Sequence, residues 1–410
     1  MTDPSSGAAG TPRDAGPGRL AVLFFTVFVD LVGFGIILPL LPFYADGFGA
    51  SGWVVGLLVT VYSVAQFFMA PMWGRLSDRF GRKPILLLGL VGSAIAYLVF
   101  AWSQSIAWLF ASRVLAGIGG STVPIAEAYI ADVTPPEKRA GNMGLIGAAF
   151  GMGFIVGPAT GGILAEISFE LPGYVAAALC LLNAIAAAVL LPETLPREKR
   201  TRDRPTFRYT LAGLGRALHL PGLRRTLALY FLFTVAFAVL QPTLSLFGEA
   251  RFGLDQREVG YLFALLGLVS AIMQGGLVRR LVPILGEVRL IRYSGVPFVA
   301  GLLLMALAQS LPLLLVGITA LAIGYGGALP SVLGLVSRVA PDDLQGGILG
   351  VGQSVGSLAR IGGPALAGIA FDVNIALPYL IGAAVAAGAT VGAAFLRPMP
   401  RSTSPGPSTS

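Results

Sequence analysis

The chain has 410 residues, of which 55% are hydrophobic and 12% charged, with a formal net charge of +8. A water-soluble domain would carry about 25% charged residues, and a mean hydropathy of +0.80 leaves more apolar surface than a soluble fold can bury. Lipid is therefore the solvent, and the basic excess has to be read by position before it is read as a nucleic-acid footprint.

Residues 1–19, MTDPSSGAAGTPRDAGPGR, are polar and rich in Pro and Gly, and lack the apolar core of a cleavable signal peptide. They predict a disordered cytoplasmic tail, as does the similar stretch at 397–410. Between them, apolar stretches of about 20 residues recur, the length that crosses a hydrocarbon core of ~30 Å. The first half gives spans near 20–44, 53–73, 85–104, 108–131, 142–165 and 173–191. The second gives spans near 224–248, 257–278, 290–309, 312–336, 347–369 and 377–396. The weakest divisions are the turns at Gln104–Ala107 and near Ser310. The predicted class is an all-α integral membrane protein with twelve transmembrane helices, its six-helix halves at 20–191 and 223–396 joined by a linker at 192–222.

Twelve spans put both termini on one side. With the N-terminus inside, only Arg251 and Arg257 lie outside and only Arg113 and Arg360 fall within spans; the remaining Lys and Arg occupy cytoplasmic tails and loops. That asymmetry orients a multi-pass inner-membrane protein with cytoplasmic termini, so the basic charge predicts no nucleic-acid partner. The linker carries Arg197, Lys199, Arg200, Arg202, Arg204, Arg208 and Arg216, a set suited to anionic lipid. Cys180 is the single cysteine, so no disulfide is possible, and no metal site is expected.

The halves repeat. An offset of 206 residues lays TPPEKRAGNMG (Thr134–Gly144) on APDDLQGGILG (Ala340–Gly350), and the same offset matches Gly157-Pro158 with Gly363-Pro364 and Gly162 with Gly368. Six spans per half in the same orientation make a parallel repeat about an axis along the membrane normal, which places a substrate site between the halves near the midplane.

Between spans 2 and 3 stands GRLSDRFGRK (Gly74–Lys83). Gly74 and Gly81 permit tight turns and close approach, and a topogenic basic loop would explain Arg79 and Arg82 but not Asp78 or the glycines. Span 5 carries Gly144, Gly153, Gly157, Pro158, Gly161 and Gly162. Its glycines at 153, 157 and 161 fall on one helix face and admit a close neighbour, while Pro158 removes a backbone hydrogen bond and bends the helix. Arg113 opens RVLAGIGG in span 4, and Asp30 lies in FVDLVGFGIILPLLPFY in span 1.

These four segments resemble the signature loop, the antiporter motif, the span 4 arginine motif and the span 1 motif of the major facilitator superfamily. With AYIADVTPPEKRAG (Ala128–Gly141) the chain is similar to its drug exporters, a group that includes the tetracycline efflux pumps. The resemblance implies a proton-driven antiporter working by alternating access, in monomeric form and without a cofactor. It departs from the tetracycline pumps where those carry acidic residues in spans 3 and 9, since this chain has apolar runs around Ala96 and Pro297.

Asp30 sits near the middle of span 1, where a charge costs at least ~2.5 kcal/mol, which makes function the default reading. A carboxylic acid there takes up a proton from one side and releases it to the other; the competing role is a permanent ion pair with Arg113. Glu127, fourteen residues after Arg113, is about 21 Å further along a helix. It attracts cationic substrates, serves as a second proton site, or is merely solvated at the mouth. Gln66, Asn183, Gln241 and Gln353 are candidates for the substrate path, although for each of them interhelical hydrogen bonding is the stronger expectation. Arg360 needs an anionic or carbonyl partner that the sequence does not identify. The single histidine, His219, lies in the linker, and no G-x-x-x-x-G-K-[ST] segment is present, so energy must come from an ion gradient.

The leading expectation is a secondary active transporter, not an enzyme, that exports small amphipathic drugs or metabolites in exchange for protons, with multidrug and antibiotic resistance as its phenotype. Proton symport of a metabolite or sugar and a non-transporting receptor or scaffold are the alternatives. Asp78, with Arg139 before span 5, is further expected to latch onto the start of span 11 after Gly346 when the cytoplasmic side closes.

Overall fold

The computed structural model describes residues 17–120, 122–134, 136–195, 198, 200, 221–339 and 345–396. Most of both predicted tails and of the linker lies outside the described residues. No strand occurs among the described residues, which form helices joined by short turns.

Span 1 begins at Pro17, a residue pre-shaped for a first helical turn, and runs as Pro17–Ile37 and then Leu41–Asp46. Spans 2 and 3 are Gly52–Phe80 and Arg82–Ala101. Span 4 is Ile106–Gly119 followed by Thr122–Val133, and spans 5 and 6 are Pro136–Ile167 and Leu171–Leu190. Span 7 is Pro221–Ala238 and Leu240–Phe252. Span 8 runs through Gln256–Ile272, a π-helical segment Met273–Leu277 and Val278–Leu285. Glu287–Ala306, Leu311–Val339, Gln345–Val373 and Leu377–Ala394 complete spans 9 to 12. Among the described residues eleven spans are long and apolar enough to cross a membrane; span 11, with 29 residues, completes the second set of six.

The sequence predicted spans 1, 4, 7 and 8 as continuous, and the structure interrupts each. Pro39 lies in the first break and Pro42 just after it, and Pro242 follows the one in span 7; proline cannot donate into a helical ladder. The break in span 4 falls at Gly120, after a glycine pair that holds a helix weakly. Both weak divisions are present as turns, after Ala101 and after Ala306.

Each half has its own apolar interior. In the second, Phe233, Phe247, Phe298 and Tyr379 are fully buried; in the first, Tyr129, Leu90 and Ile125 form one cluster and Tyr44, Phe100 and Tyr97 another. Outward-pointing Leu182, Ile185, Val189, Leu366 and Val391 are exposed, a surface that suits lipid and would aggregate in water.

The halves meet mainly along two helix pairs, span 5 against span 8 and span 2 against span 11. A methyl group on Gly267 would come within 2.7 Å of the Phe154 carbonyl oxygen, and one on Gly368 would collide with the Gly52 backbone, so these contacts are backbone to backbone.

Polar bonds cluster on the face opposite the basic loop of Asp78 and Arg82. Asp372, near the end of span 11, accepts from the Gly52 N–H at 2.7 Å and the Trp53 N–H at 2.9 Å, at the start of span 2. A helix N-terminus presents unpaired N–H groups and partial positive charge, so the carboxylate of one half caps a helix of the other. Ser245 Oγ donates to the Pro39 carbonyl at 2.8 Å, and Thr60 Oγ1 to that of Ile361 at 2.9 Å. Arg257 in span 8 lies 3.4 Å from Glu166 in span 5. The offset of 206 that relates the halves carries Glu166 onto Asp372, so these two acids are repeat mates that fasten the two helix pairs on the same face.

Candidate transport site

Between the halves lies a cavity of about 1320 Å³. Its wall runs from Asp30, Tyr97 and Arg113 deep between the halves to Gly74, Arg75 and Arg279 at the basic ends of spans 2 and 8. The cavity thus reaches the basic face, while the bonds of Asp372 and Glu166 fasten the other.

Asp30 is 6% exposed. Its Oδ2 accepts from Thr122 Oγ1 at 2.6 Å, and Cys180 Sγ lies 4.0 Å from Oδ1. Thr122 is in place because span 4 restarts there after the glycine break. Arg113 is also buried, with its guanidinium carbon 5.5 Å from the Phe100 ring centre and Nε 3.4 Å from Ser112 Oγ. Its Nη2 has no hydrogen-bond partner. No salt bridge joins Asp30 to Arg113, so the permanent ion pair is not the resting arrangement of these groups. Glu127 stands on the cavity wall with Asp30 and Arg113.

Gln66 and Gln241 line the cavity, and Gln66 Nε2 donates to Tyr62 Oη at 3.2 Å. Asn183 does not: its Nδ2 donates to the Thr26 carbonyl at 2.8 Å, tying span 6 to span 1. The expectation that it lines the path is corrected accordingly, because a buried amide that finds a carbonyl next door has no reason to face water. Of Arg139, Gly144 and Gln353 only the helical backbone is described.

In the span 5 motif a methyl group on Gly153 would lie 2.8 Å from Leu31 Cβ, and one on Gly157 2.7 Å from Gly35 Cα. Gly161 abuts the Ile36 carbonyl, whereas Gly162 turns to span 8, where its Cβ would lie 2.6 Å from the Gln256 carbonyl oxygen. The glycine face is thus the seat of span 1, and Pro158 sits within the same contact, its carbonyl against Gly260 of span 8.

The basic loop is tied into a network with the end of span 4 and the start of the linker. Arg82 donates to Asp78 at 2.6 Å, to Ser77 at 2.7 Å and to Asp132 at 2.8 Å. Glu193 accepts from the Arg82 backbone N–H at 2.9 Å and lies 3.8 Å from Arg200. Arg79 stacks on Phe80, and Gly74 lines the cavity mouth. Gly81 has φ +110° and its Cβ would lie 2.8 Å from Arg200 Nη2. Gly81→Ala should therefore cost about 1–3 kcal/mol through backbone strain and crowding. A thermal midpoint in detergent equal to the parent's would refute that assignment.

The sequence did not single out Thr122, Tyr62, Asp132, Glu193 or Asp372. Two of them had a signal to be found: Asp132 stands in the segment Ala128–Gly141, and Asp372 is the repeat mate of Glu166.

The Major Facilitator Superfamily model matches residues 23–364. The chain is 30% identical over 366 residues to multidrug resistance protein 2 of Bacillus subtilis, covering 88% of this chain and 90% of that one. It is 32% identical over 380 residues to the class C tetracycline resistance protein of Escherichia coli, covering 89% and 94%. Among solved structures, the human organic anion transporter MFSD10 (TETRAN) superposes with a TM-score of 0.72 at 29% identity, covering 92% of this chain and all of that one. Twelve helical spans among the described residues, a central cavity reaching one face, and these likenesses lead to one statement: the chain belongs to the major facilitator superfamily and is a multi-pass membrane transporter of small molecules rather than an enzyme.

Proposed function

We propose that the protein is a proton-coupled exporter of small amphipathic molecules, working by alternating access as a monomer in the inner membrane. The observation that carries this reading is the carboxylate of Asp30, buried on the cavity wall without a cationic partner, where a proton can come and go as the cavity changes sides. Glu127 offers a second proton site on the same wall. The basic loop, rich in Arg75, Arg79 and Arg82, marks the cytoplasmic side, so the cavity described here opens inward and substrate is taken from the cytoplasm. The proton gradient supplies the energy.

The test is transport by purified protein in liposomes with an imposed pH gradient, using a panel of dyes and antibiotics that includes tetracycline. Uphill substrate movement with proton flow in the opposite direction supports the reading; a full panel without either, from correctly inserted protein, overturns it.

In this scheme the outer face is held shut by Asp372 and Glu166. Outward opening must break the bonds from Gly52 and Trp53 while Asp78 engages span 11 on the cytoplasmic side. Asp372→Asn removes the charge at the helix start and should shift the population outward-open by about fivefold, given the ~1 kcal/mol such a cap provides at an exposed site. Cysteines at Trp53 and Val373 report the shift as a lower crosslinking yield, and an unchanged yield would discard the latch.

A further inference from the structure

The geometry points to Arg360 as the anchor for an anionic group on the transported molecule, which makes the substrate class amphipathic organic anions. The inference rests on the transport reading above and narrows it.

Arg360 lies on the second-half wall of the cavity. Its hydrogen-bonding neighbours are neutral: Nη2 is 3.2 Å from Ser357 Oγ, and the Tyr230 hydroxyl is within hydrogen-bonding reach. Among the described residues no carboxylate forms a salt bridge with it. A guanidinium has five N–H donors in a planar fork that matches a carboxylate or sulfonate. Inside a membrane protein such a charge normally finds an opposite charge or marks a substrate path. Of the two first-half acids on the cavity wall, Asp30 is engaged by Thr122 and neither Asp30 nor Glu127 forms a salt bridge with Arg360, which leaves its guanidinium open to an anion from outside the chain.

The rest of the wall agrees. Four arginines, at 75, 113, 279 and 360, share it with two carboxylates, Asp30 and Glu127. An entering cation therefore meets a surplus of like charge even with both acids ionised, and an anion meets attraction. Beside Arg360, Tyr325 stacks on Phe237 with ring centres 3.7 Å apart and planes 5° from parallel. Across the cavity Phe34 packs on Tyr62 and Phe154 at 5.3 and 6.0 Å. A flat apolar body between these aromatic faces places an acidic substituent at the guanidinium.

Two xanthene dyes of opposite charge test the assignment: carboxyfluorescein, an anion, and rhodamine 6G, a cation. Binding is read by fluorescence anisotropy on the full-length protein in lipid nanodiscs. The parent should bind carboxyfluorescein; Arg360→Gln should weaken it by about 10-fold to 100-fold, Arg360→Lys by less, and rhodamine 6G should bind no more weakly to Arg360→Gln than to the parent. Equal carboxyfluorescein affinity in parent and Arg360→Gln, or no binding of it to the parent, overturns the anchor. If Arg360→Gln loses both dyes, Arg360→Lys decides: carboxyfluorescein binding there upholds the anchor, and its absence overturns it. Proton-driven efflux of rhodamine 6G by a parent that ignores carboxyfluorescein would remove the anionic substrate and leave the exporter standing. Normal carboxyfluorescein binding without proton-driven movement of either dye would remove the exporter and leave the anchor standing.

Discussion

Asp30→Asn is expected to reduce uphill export to the level of vesicles without protein, while substrate affinity stays within a few-fold of the parent. An amide cannot cycle a proton, yet its oxygen can still accept the hydrogen bond that Thr122 Oγ1 donates to Asp30 Oδ2 at 2.6 Å. The local fold therefore survives. No salt bridge ties the carboxylate to Arg113, so neutralising it leaves no newly orphaned partner of the kind that makes a broken buried pair so costly. Proton release on substrate addition is the direct readout. An Asn variant that releases protons and drives accumulation like the parent would move the coupling acid elsewhere, with Glu127 on the same wall as the next candidate.

Gly157→Leu should also abolish transport, by a different route. The new Cβ would lie 2.7 Å from Gly35 Cα and 2.8 Å from the Val32 carbonyl oxygen. Both are backbone atoms of span 1, so no rotamer change relieves the clash, and a close-packed interior does not absorb extra methylenes freely. Overpacking of this kind costs about 1–3 kcal/mol or more, enough to displace span 1 and with it Asp30. The control is Gly388→Leu in span 12, where a Cβ meets nothing within 4 Å. Uptake assays on both variants at matched membrane expression should show loss in the first only; normal transport by Gly157→Leu would mean that spans 1 and 5 separate during the cycle.

The architecture was legible because lipid imposes a simple rule: about 20 apolar residues per crossing, with basic residues kept to one side. Averaging over such lengths is also what hid the breaks at Pro39 and Gly120, since a kink changes direction without changing mean hydropathy. Asp30 stood out because a membrane acid is costly; its partner Thr122 did not, because a hydroxyl in a helix usually bonds its own backbone. The loop motif pointed to Arg82 but not to Asp132 and Glu193, which lie 50 and 111 positions away. Asn183 could be named for the path or for a bond between helices but not decided, because span 6 is apolar on all sides and its pattern does not say which side faces water; its bond to Thr26 is of the second kind. Asp372 escaped for a further reason: it binds backbone N–H groups, 320 and 319 residues distant, and a backbone donor carries no side-chain signature.

The π-helical segment at Met273–Leu277 gives span 8 one residue more than a regular α-helix would fit into the same rise. Each residue of an α-helix turns the chain by about 100°, so everything from Val278 onward is rotated by that amount relative to an uninterrupted span. Arg279 begins the last turns of span 8 and stands on the cavity wall, and its azimuth there is set by this surplus residue. The charge at the cavity mouth is in that sense a matter of phase: the same arginine on a helix without the insertion would point about a quarter-turn away.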